Sequence, residues 1–137
     1  MIFNNCFPGQ VVLAKEIDTF TKTEFIHPYI VWACQGFHSK QKNNIICFRV
    51  TTKTESKEDR VFVSPSVMNG LTASSAIVYN AEHLFDVKDL VKIGTLEADK
   101  FKELIQKRMA YVSIQNFDAI TSYTKNKIYQ EENKNEH

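Results

Sequence analysis

Two short stretches of the sequence contain the residue types that proton transfer and anion binding require. FIHPYIVWACQG contains His27 and Tyr29, and NNIICFRVTTK contains Arg49 and Thr51. A histidine exchanges protons near neutral pH, because its unperturbed pKa is about 6.5. An arginine offers a fork of donors to a phosphate, and a threonine hydroxyl can hold a phosphate oxygen or orient a ribose hydroxyl. These groups suit phosphate chemistry on RNA, in which the 2′-hydroxyl attacks the neighbouring phosphorus and no metal ion is needed.

The two stretches are predicted to be strands of one hairpin, joined by the polar segment FHSKQKNN. Side chains of a strand alternate between two faces. In the register that places His27 opposite Thr51, one face carries only apolar residues: Pro28, Ile30, Trp32, Ile46, Phe48 and Val50. A slip of one residue would break up this face, so burial favours this register. The opposite face then carries the four candidate residues, with Tyr29 placed to stack on a base.

Each candidate residue also fits a purely structural role. A His-Pro pair at a strand start, as at His27, can be a polar residue before a rigid entry. Thr51 is a residue that β-propensity selects, and the stem of Arg49 can cover a sheet face. The segment 38–60 contains six basic and three acidic side chains, a mild excess that is more typical of a solvated loop than of a nucleic-acid groove. Residue chemistry alone leaves both readings open.

The remaining elements indicate an α+β fold. Further strands are predicted at 9–17, 60–64, 75–80 and, as a short sixth strand, 83–87. From residue 97 onward apolar residues recur every three or four positions, which predicts an amphipathic helix with Thr95 as its N-cap. The apolar residues of this pattern are Phe101, Leu104, Ile105, Met109 and Val112, and Phe117, Ile120 and Tyr123 either continue the helix or form another. Strands followed by a C-terminal helix favour a small, strongly bent sheet or barrel.

Composition limits the class of protein further. The 137 residues are 43% hydrophobic and 24% charged, which fits one soluble globular domain, here divided into 1–115 and a C-terminal extension, 116–137. A net charge of +1 argues against a nucleic-acid coat or a polybasic membrane patch, and no apolar run is long enough to span a membrane. Cys6, Cys34 and Cys47 are an odd number at irregular spacing, which predicts reduced thiols in the cytoplasm and no zinc site.

The order of segments resembles the MazF/PemK family of toxin endoribonucleases. PGQVVLAKEI resembles the first strand of that family, HPYIVWACQG its Arg-Pro strand, and IICFRVT its apolar strand that ends in threonine. NGLTASSAIVYN, AEHLFDV and IGTLEADKFKELIQKRM resemble the segments that follow, so the likeness extends from about Pro8 to Met109. Each motif is short, but their order and spacing together are fairly specific.

The resemblance implies an SH3-like β-barrel of five to seven strands, of the CcdB/MazF type, with a C-terminal helix. It implies a cytoplasmic, metal-independent endoribonuclease without cofactors, which cleaves single-stranded RNA, forms a homodimer, is neutralised by an antitoxin and binds DNA as the complex. The catalytic pair of the family corresponds here to His27 and Thr51, to which we add Arg49 as a source of positive charge. The side chains expected to bind RNA are Tyr29, Lys53, Lys15 and Lys22.

The sequence departs from the family pattern at two places. The catalytic arginine of the family is replaced by His27, and the preceding segment DTFTKTEF lacks the glycine-rich character of the loop that shapes the RNA channel. An alternative is therefore a catalytically inactive relative that acts by binding. Such a protein would poison DNA gyrase through a dimer surface and the C-terminal helix, or would bind RNA as a regulator.

Overall fold

The structure is a computed structural model that describes residues 6–34, 44–54 and 59–135, with side chains as far as residue 128. It contains six strands, one 3₁₀ turn at Val87–Asp89 and one long helix. The strands are β1 (Gln10–Ile17), β2 (Glu24–Cys34), β3 (Asn44–Thr51), β4 (Arg60–Val63), β5 (Ser75–Asp86) and β6 (Leu90–Thr95), and the helix is α1 (Ala98–Asn135). The segment FHSKQKNN, predicted to join β2 and β3, lies almost entirely outside the described residues.

All six strands form one antiparallel sheet in the order β4-β5-β3-β2-β1-β6. The register shifts at three places, within β1, β2 and β3, and each such bulge bends and twists the strand that carries it. Over the described residues no pairing joins β4 to β6, so the bent sheet is not closed into a complete barrel. The predicted α+β fold with a strongly bent sheet and a C-terminal helix is confirmed.

The His-Pro pair lies inside β2, three residues after its start, and not at the mouth of the strand as predicted. On one side, β2 pairs with β1 along the segment 24–30, with His27 opposite Ala14 and Pro28 opposite Leu13. On the other side, pairing with β3 begins only at Tyr29. A proline is tolerated in a sheet where the ladder ends, because it has no N–H to donate. The β2–β3 ladder therefore opens at His27.

The strand predictions differ from the structure in two further ways. The segments predicted as strands at 75–80 and 83–87 form one strand of 12 residues, β5. β6 was not predicted, because its sequence LVKIGT alternates only weakly and follows a polar turn. β6 pairs with β1, with Gln10 opposite Thr95, and so forms one edge of the sheet.

The larger of two hydrophobic cores lies between the sheet and α1. It contains the predicted apolar face of the β2–β3 hairpin, in which Ile30, Phe48 and Val50 are fully or almost fully buried. Trp32 packs against this cluster, with its ring 5.0 Å from that of Phe48. The prediction is confirmed for these residues and for the register that places Tyr29 opposite Arg49 and Ile30 opposite Phe48. It was wrong for Ile46, because a bulge after Val31 places Ile46 opposite Ala33 and not Trp32. Pro28 and Ile46, also predicted for this face, are half-buried and lie outside this core.

A second, smaller core lies on the other face of the same sheet. It contains Tyr29, Val31 and Cys47, together with Val12, Ala14 and Ile45. These residues share the face that carries His27, so half of the predicted functional face is core. The reason is the bend of the sheet, which brings the end of β5 and the following 3₁₀ turn over Tyr29; Phe85 and Val87 pack there.

The chain enters α1 directly from β6. Thr95, the predicted N-cap, is the last residue of β6, and its N–H donates to the Met68 carbonyl at 2.8 Å. The Glu97 carbonyl accepts a hydrogen bond from the Phe101 N–H at 2.9 Å, so Glu97 occupies the capping position before Ala98. The Thr95 prediction failed because β6 itself was not recognised.

The first half of α1 is held against the sheet. Leu104 is completely buried and Phe101 packs against the larger core. Arg108 donates from Nη1 to the Tyr79 carbonyl at 2.8 Å and from Nη2 to Glu82 Oε1 at 2.9 Å. These contacts orient the helix across β4 and β5.

The second half of α1 extends past the sheet as an uninterrupted continuation of the helix. Ile105 and Met109, predicted to face the core, are exposed, because the helix turns these side chains away from the sheet. Of the described side chains from 113 to 128, all are exposed except half-buried Thr121. The apolar members of this segment are Ile114, Phe117, Ile120, Tyr123 and Ile128. No described helix is long and apolar enough to cross a membrane.

The loop between β4 and β5 lies directly against β6. Gly70 has φ of +70°, and a Cβ there would lie 2.3 Å from the Ile93 carbonyl oxygen. A Cβ at Gly94 would lie 2.4 Å from the carbonyl carbon of Asn69. No side chain fits at either distance, so both positions require glycine.

Asn69 fixes this loop from inside. It is completely buried, and its Oδ1 accepts hydrogen bonds from the N–H groups of Ser66 and Leu71, both at 3.0 Å. Its Nδ2 donates to the Ser64 carbonyl at 2.9 Å and to Glu97 Oε1 at 3.0 Å. The Asn69 side chain thus links the loop to the residue that precedes α1.

Candidate functional site

A cavity of about 440 Å³ opens where the β2–β3 ladder ends, on the face of the sheet that carries His27. Its lining consists of His27, Arg49, Thr51, Thr52, Lys53, Arg60 and Val78. Four of the seven residues predicted for the site line the cavity: His27, Arg49, Thr51 and Lys53. Arg60 was not predicted as a site residue.

The strand register explains why these residues meet. Arg49 of β3 pairs with Val78 of β5, and Val78 pairs with Arg60 of β4. Paired residues of an antiparallel sheet face the same side, so both arginines and Val78 form one row. The next row along the sheet contains Thr51, and the register of Tyr29 with Arg49 is the one that sets His27 across from Thr51.

His27 presents an unpaired ring nitrogen. Its Nε2 is buried and has no hydrogen-bond partner among the described residues. The ring makes a hydrogen bond with the backbone of Val50 that favours its protonated form, so the acceptor is the Val50 carbonyl and the donor is Nδ1. A neutral imidazole with its proton on Nδ1 carries a lone pair on Nε2. Aromatic edges hold the ring in place, since the Phe25 and Tyr29 rings lie 6.4 and 5.9 Å from it.

The electrostatic environment keeps His27 neutral. Burial lowers the pKa of His27 below its ordinary value of 6.5, and the positive charge of Arg49 lowers it further. The hydrogen bond with Val50 and the charge of Glu16 oppose this shift without cancelling it. At neutral pH, His27 is therefore a proton acceptor and not a fixed cation.

Thr51 lies at the end of β3 with its hydroxyl oriented by the backbone. Its Oγ1 accepts a hydrogen bond from the Lys53 N–H at 3.1 Å. This bond leaves the hydroxyl proton available to donate. It also forms a turn after Thr51, and Lys53 at the end of this turn lines the cavity as well.

The cavity is electropositive. Arg49, Lys53 and Arg60 line it, and none of the described residues in its lining is an aspartate or glutamate. The Nε and Nη1 atoms of Arg60 are buried and have no hydrogen-bond partner among the described residues. Arg60 could not be found from the sequence, because its place beside Arg49 depends on which strand pairs with β5. The only available signal was an arginine at the start of the segment RVFV.

Three predicted RNA contacts are not brought to the cavity. Tyr29 is 0% exposed, and its ring packs edge-on against His83 and Phe85 at 5.4 and 4.7 Å, so neither face is available to a base. Lys15 pairs with Ile26, one position from the Ala14–His27 pair, and therefore lies on the opposite face of the sheet. Lys22 is exposed in the β1–β2 turn.

Within the part of the chain that the structure describes, no group of three or more histidine, cysteine or acidic residues is arranged to hold a metal ion. The chemistry available to the cavity from this chain is therefore that of an imidazole, hydroxyls and cationic donors. Such a set can accept a proton, donate hydrogen bonds and balance negative charge, which are the needs of phosphoryl transfer.

Comparison with known proteins identifies the fold. No protein-family model matches the sequence, and none of the curated proteins does so. Among solved structures, the chain is similar to MazF in a MazE–MazF complex (form III) from Deinococcus radiodurans. That match has a TM-score of 0.61 and 13% identity, and it covers 77% of this chain and 94% of the other.

Two further solved structures are similar to the same extent. An endoribonuclease in complex with its cognate antitoxin from a mycobacterial species matches with a TM-score of 0.59 and 14% identity, over 79% of this chain and 95% of the other. An endoribonuclease from a mycobacterial species matches with a TM-score of 0.58 and 13% identity, over 82% and 96%. The sheet and helix of this chain therefore have the MazF-like toxin fold that the order of its segments predicted.

Proposed function

We propose that this protein is a toxin-type endoribonuclease that cleaves single-stranded RNA without a metal ion. The observation that carries the proposal is the lone pair of His27 Nε2, held in a cation-lined cavity beside Arg49 and Thr51. The MazF-like fold supports it, since similar structures are endoribonucleases and toxins.

In this proposal His27 is the general base. Its Nε2 takes the proton of a ribose 2′-hydroxyl, whose oxygen then attacks the adjacent phosphorus. The 5′-oxygen leaves and receives a proton from water, which gives a 2′,3′-cyclic phosphate and a 5′-hydroxyl. General base catalysis of this kind contributes about 10²- to 10⁴-fold to a rate.

The charge that develops on the phosphate is balanced by its neighbours in the cavity. Arg49 is a lining residue whose positive charge acts on His27, since it lowers the pKa of that residue. The Thr51 hydroxyl donates to a non-bridging oxygen, and Lys53 contacts the backbone on the same side. Donors of this type strengthen as negative charge grows on the oxygen.

Two exposed phenylalanines replace Tyr29 as candidates for base stacking. Phe25 is two residues before His27 on the same face of β2 and is 37% exposed. Phe62 is 42% exposed and lies in the same row as Thr51, because both pair with Ala76. The two rings flank the cavity, which suits a splayed single strand with one base on either side.

The remaining parts of the proposal follow the resemblance to MazF. The protein acts in the cytoplasm as a homodimer, and a cognate antitoxin neutralises it. Solved relatives of similar fold occur as MazE–MazF complexes and with a cognate antitoxin. Residues 1–115 form the catalytic module and residues 116–137 an extension of it.

The test is cleavage of a long single-stranded RNA in the presence of EDTA, with the ends mapped by primer extension. Wild type is expected to give discrete cuts with 5′-hydroxyl ends. His27→Gln is expected to slow cleavage about 10²- to 10⁴-fold, and Thr51→Val about 10²- to 10³-fold. Thr72→Val, which changes an exposed residue outside the cavity, is the matched control and should cleave as wild type does.

Equal rates in wild type and His27→Gln would remove His27 from the mechanism. Absence of cuts by the folded, antitoxin-free protein would contradict an enzymatic function altogether.

The second candidate is a protein that acts by binding, and one observation favours it. The α1 segment after residue 112 exposes Phe117, Ile120 and Tyr123. A toxin that poisons a target such as gyrase by binding would need such a surface. Toxicity that survives His27→Gln but is lost on deletion of 116–137 would support this function over cleavage, whereas RNA binding without cleavage would support a regulator.

A further inference from the structure

The guanidinium of Arg60 has buried donor atoms without a hydrogen-bond partner among the described residues. Arg60 is the first residue of β4 and lines the cavity. The buried donors without a partner are its Nε and Nη1 atoms. None of the ion pairs formed by the described residues includes its guanidinium. Its backbone carbonyl accepts a long hydrogen bond from Lys107 at 3.5 Å, which leaves the side chain unaffected.

Such an arrangement is costly in the free protein. A buried donor that has lost water and gained no partner destabilises the fold, and the cost is higher when the donor is charged. Buried polar groups in folded proteins are therefore almost always paired, and an exception indicates a missing partner. The surroundings favour an anionic partner, since the neighbouring cations in the lining are Arg49 and Lys53, and the described part of the lining contains no acid.

We propose that Arg60 binds a phosphate group adjacent to the one that faces His27. Arg60 and Arg49 pair with Val78 from opposite sides, which separates their backbones by about 10 Å, or two strand spacings. Two arginines at this separation are better placed to bind two successive phosphates of a chain than to bind a single phosphate together. That the chain is RNA rests on the proposed function, whereas the phosphate site rests on Arg60 alone.

The experiment uses two phosphate sources and the full-length protein. The first is a fluorescent single-stranded oligonucleotide with 2′-deoxyribose throughout, which lacks the attacking hydroxyl and so measures binding without cleavage. The second is inorganic phosphate, monitored as a rise in the thermal unfolding midpoint. The variants are Arg60→Gln and Arg60→Lys, with Lys102→Gln as a control that removes one positive charge from an exposed position on α1.

Arg60→Gln is expected to weaken oligonucleotide binding about 10- to 100-fold, the range for a lost charge-assisted contact. It should also reduce the slope of log affinity against log salt by about 0.7, as expected for one phosphate contact on a single strand. Arg60→Lys should recover part of the affinity, and Lys102→Gln should stay within about twofold of wild type. Without ligand, Arg60→Gln should unfold at the same temperature as wild type or higher, because the buried charge without a partner is gone.

Unchanged oligonucleotide affinity together with unchanged stabilisation by inorganic phosphate would overturn the proposal. So would a lower unfolding midpoint of ligand-free Arg60→Gln, which would show that the guanidinium supports the fold. Loss of the phosphate effect alone would support the site and assign it to a small phosphate compound. If Arg60 governs oligonucleotide binding but wild type cleaves no RNA, the proposed function fails and the phosphate site stands.

Discussion

Replacing Asn69 with alanine should loosen the joint between the β4–β5 loop, β6 and α1. The side chain is completely buried and makes hydrogen bonds to four different partners: Ser64, Ser66, Leu71 and Glu97. Alanine removes the amide, leaves two backbone N–H groups and one carbonyl without their partner, and takes one of several donors from the Glu97 carboxylate. The loop then has no polar anchor at its centre.

The magnitude follows from the number of hydrogen bonds. A buried hydrogen bond contributes about 0.5 to 1.5 kcal/mol net, so four give roughly 2 to 6 kcal/mol. A domain of this length has a free energy of unfolding of about 7 to 20 kcal/mol. Asn69→Ala should therefore remove a large share of the stability and still leave a folded protein.

Urea unfolding followed by circular dichroism measures this loss. With a slope of about 2 kcal/mol per molar urea, the midpoint should fall by roughly 1 to 3 M. Asn80→Ala, at an exposed position on β5, is the control and should change the free energy of unfolding by less than about 0.5 kcal/mol. A loss below about 1 kcal/mol for Asn69→Ala would refute the reasoning, since it would mean that water replaces the amide at little cost.

The same variant should change the response to acid. Burial tends to raise the pKa of Glu97, but hydrogen bonds from Ser66, its own backbone and Asn69, with the nearby Lys100, hold that pKa below its usual value. A carboxylate with a lowered pKa stabilises the fold above its ordinary pKa, and this contribution is lost as the pH falls through the lowered value. Asn69→Ala moves the pKa of Glu97 back towards its usual value. The difference in free energy of unfolding between wild type and Asn69→Ala, measured by urea unfolding, should therefore become smaller as the pH falls.

Three other results are expected from cleavage, stability and binding measurements. Burial and the charge of Arg49 lower the pKa of His27 below 6.5. The cleavage rate should therefore be constant above pH 7 and fall about tenfold per pH unit only in more acidic solution. A decline of the rate that begins above pH 7 would contradict this. Gly94→Ala should lower the free energy of unfolding, measured in urea, by roughly 1 to 3 kcal/mol. The reason is that the new methyl group would lie 2.4 Å from the backbone of the β4–β5 loop. A change below about 0.5 kcal/mol would disprove the contact. Phe62→Ala should weaken oligonucleotide binding by about 1 to 3 kcal/mol, whereas Phe20→Ala, at an exposed ring in the β1–β2 turn, should have no effect; equal effects would count against stacking.

The sequence was sufficient to predict the β2–β3 hairpin and the residues around its open end. Only one register buries Ile30, Phe48 and Val50 together, and the structure has that register from Tyr29 to Val31, where a bulge shifts it. His27, Arg49 and Thr51 line one cavity as a direct consequence. Strand alternation predicts this well because it depends on neighbours that are close in sequence.

Features that depend on the bend of the sheet were not predictable. Alternation places Tyr29 on the same face as His27, but the bend covers Tyr29 with Phe85 while leaving His27 at the rim. Arg60 enters the site only because β4 pairs with β5 across Val78. Both outcomes depend on residues far apart in the chain, which periodicity does not relate.

The contact between the β4–β5 loop and β6 also protects the sheet from other chains. β6 is an edge strand, and the Thr95 N–H that points away from β1 is bonded to Met68 of the loop. An uncovered edge strand is a template for intermolecular β-pairing and aggregation, and the opposite edge, β4, is only four residues long. Gly70 and Gly94, which let the loop approach so closely, thus serve solubility as well as packing.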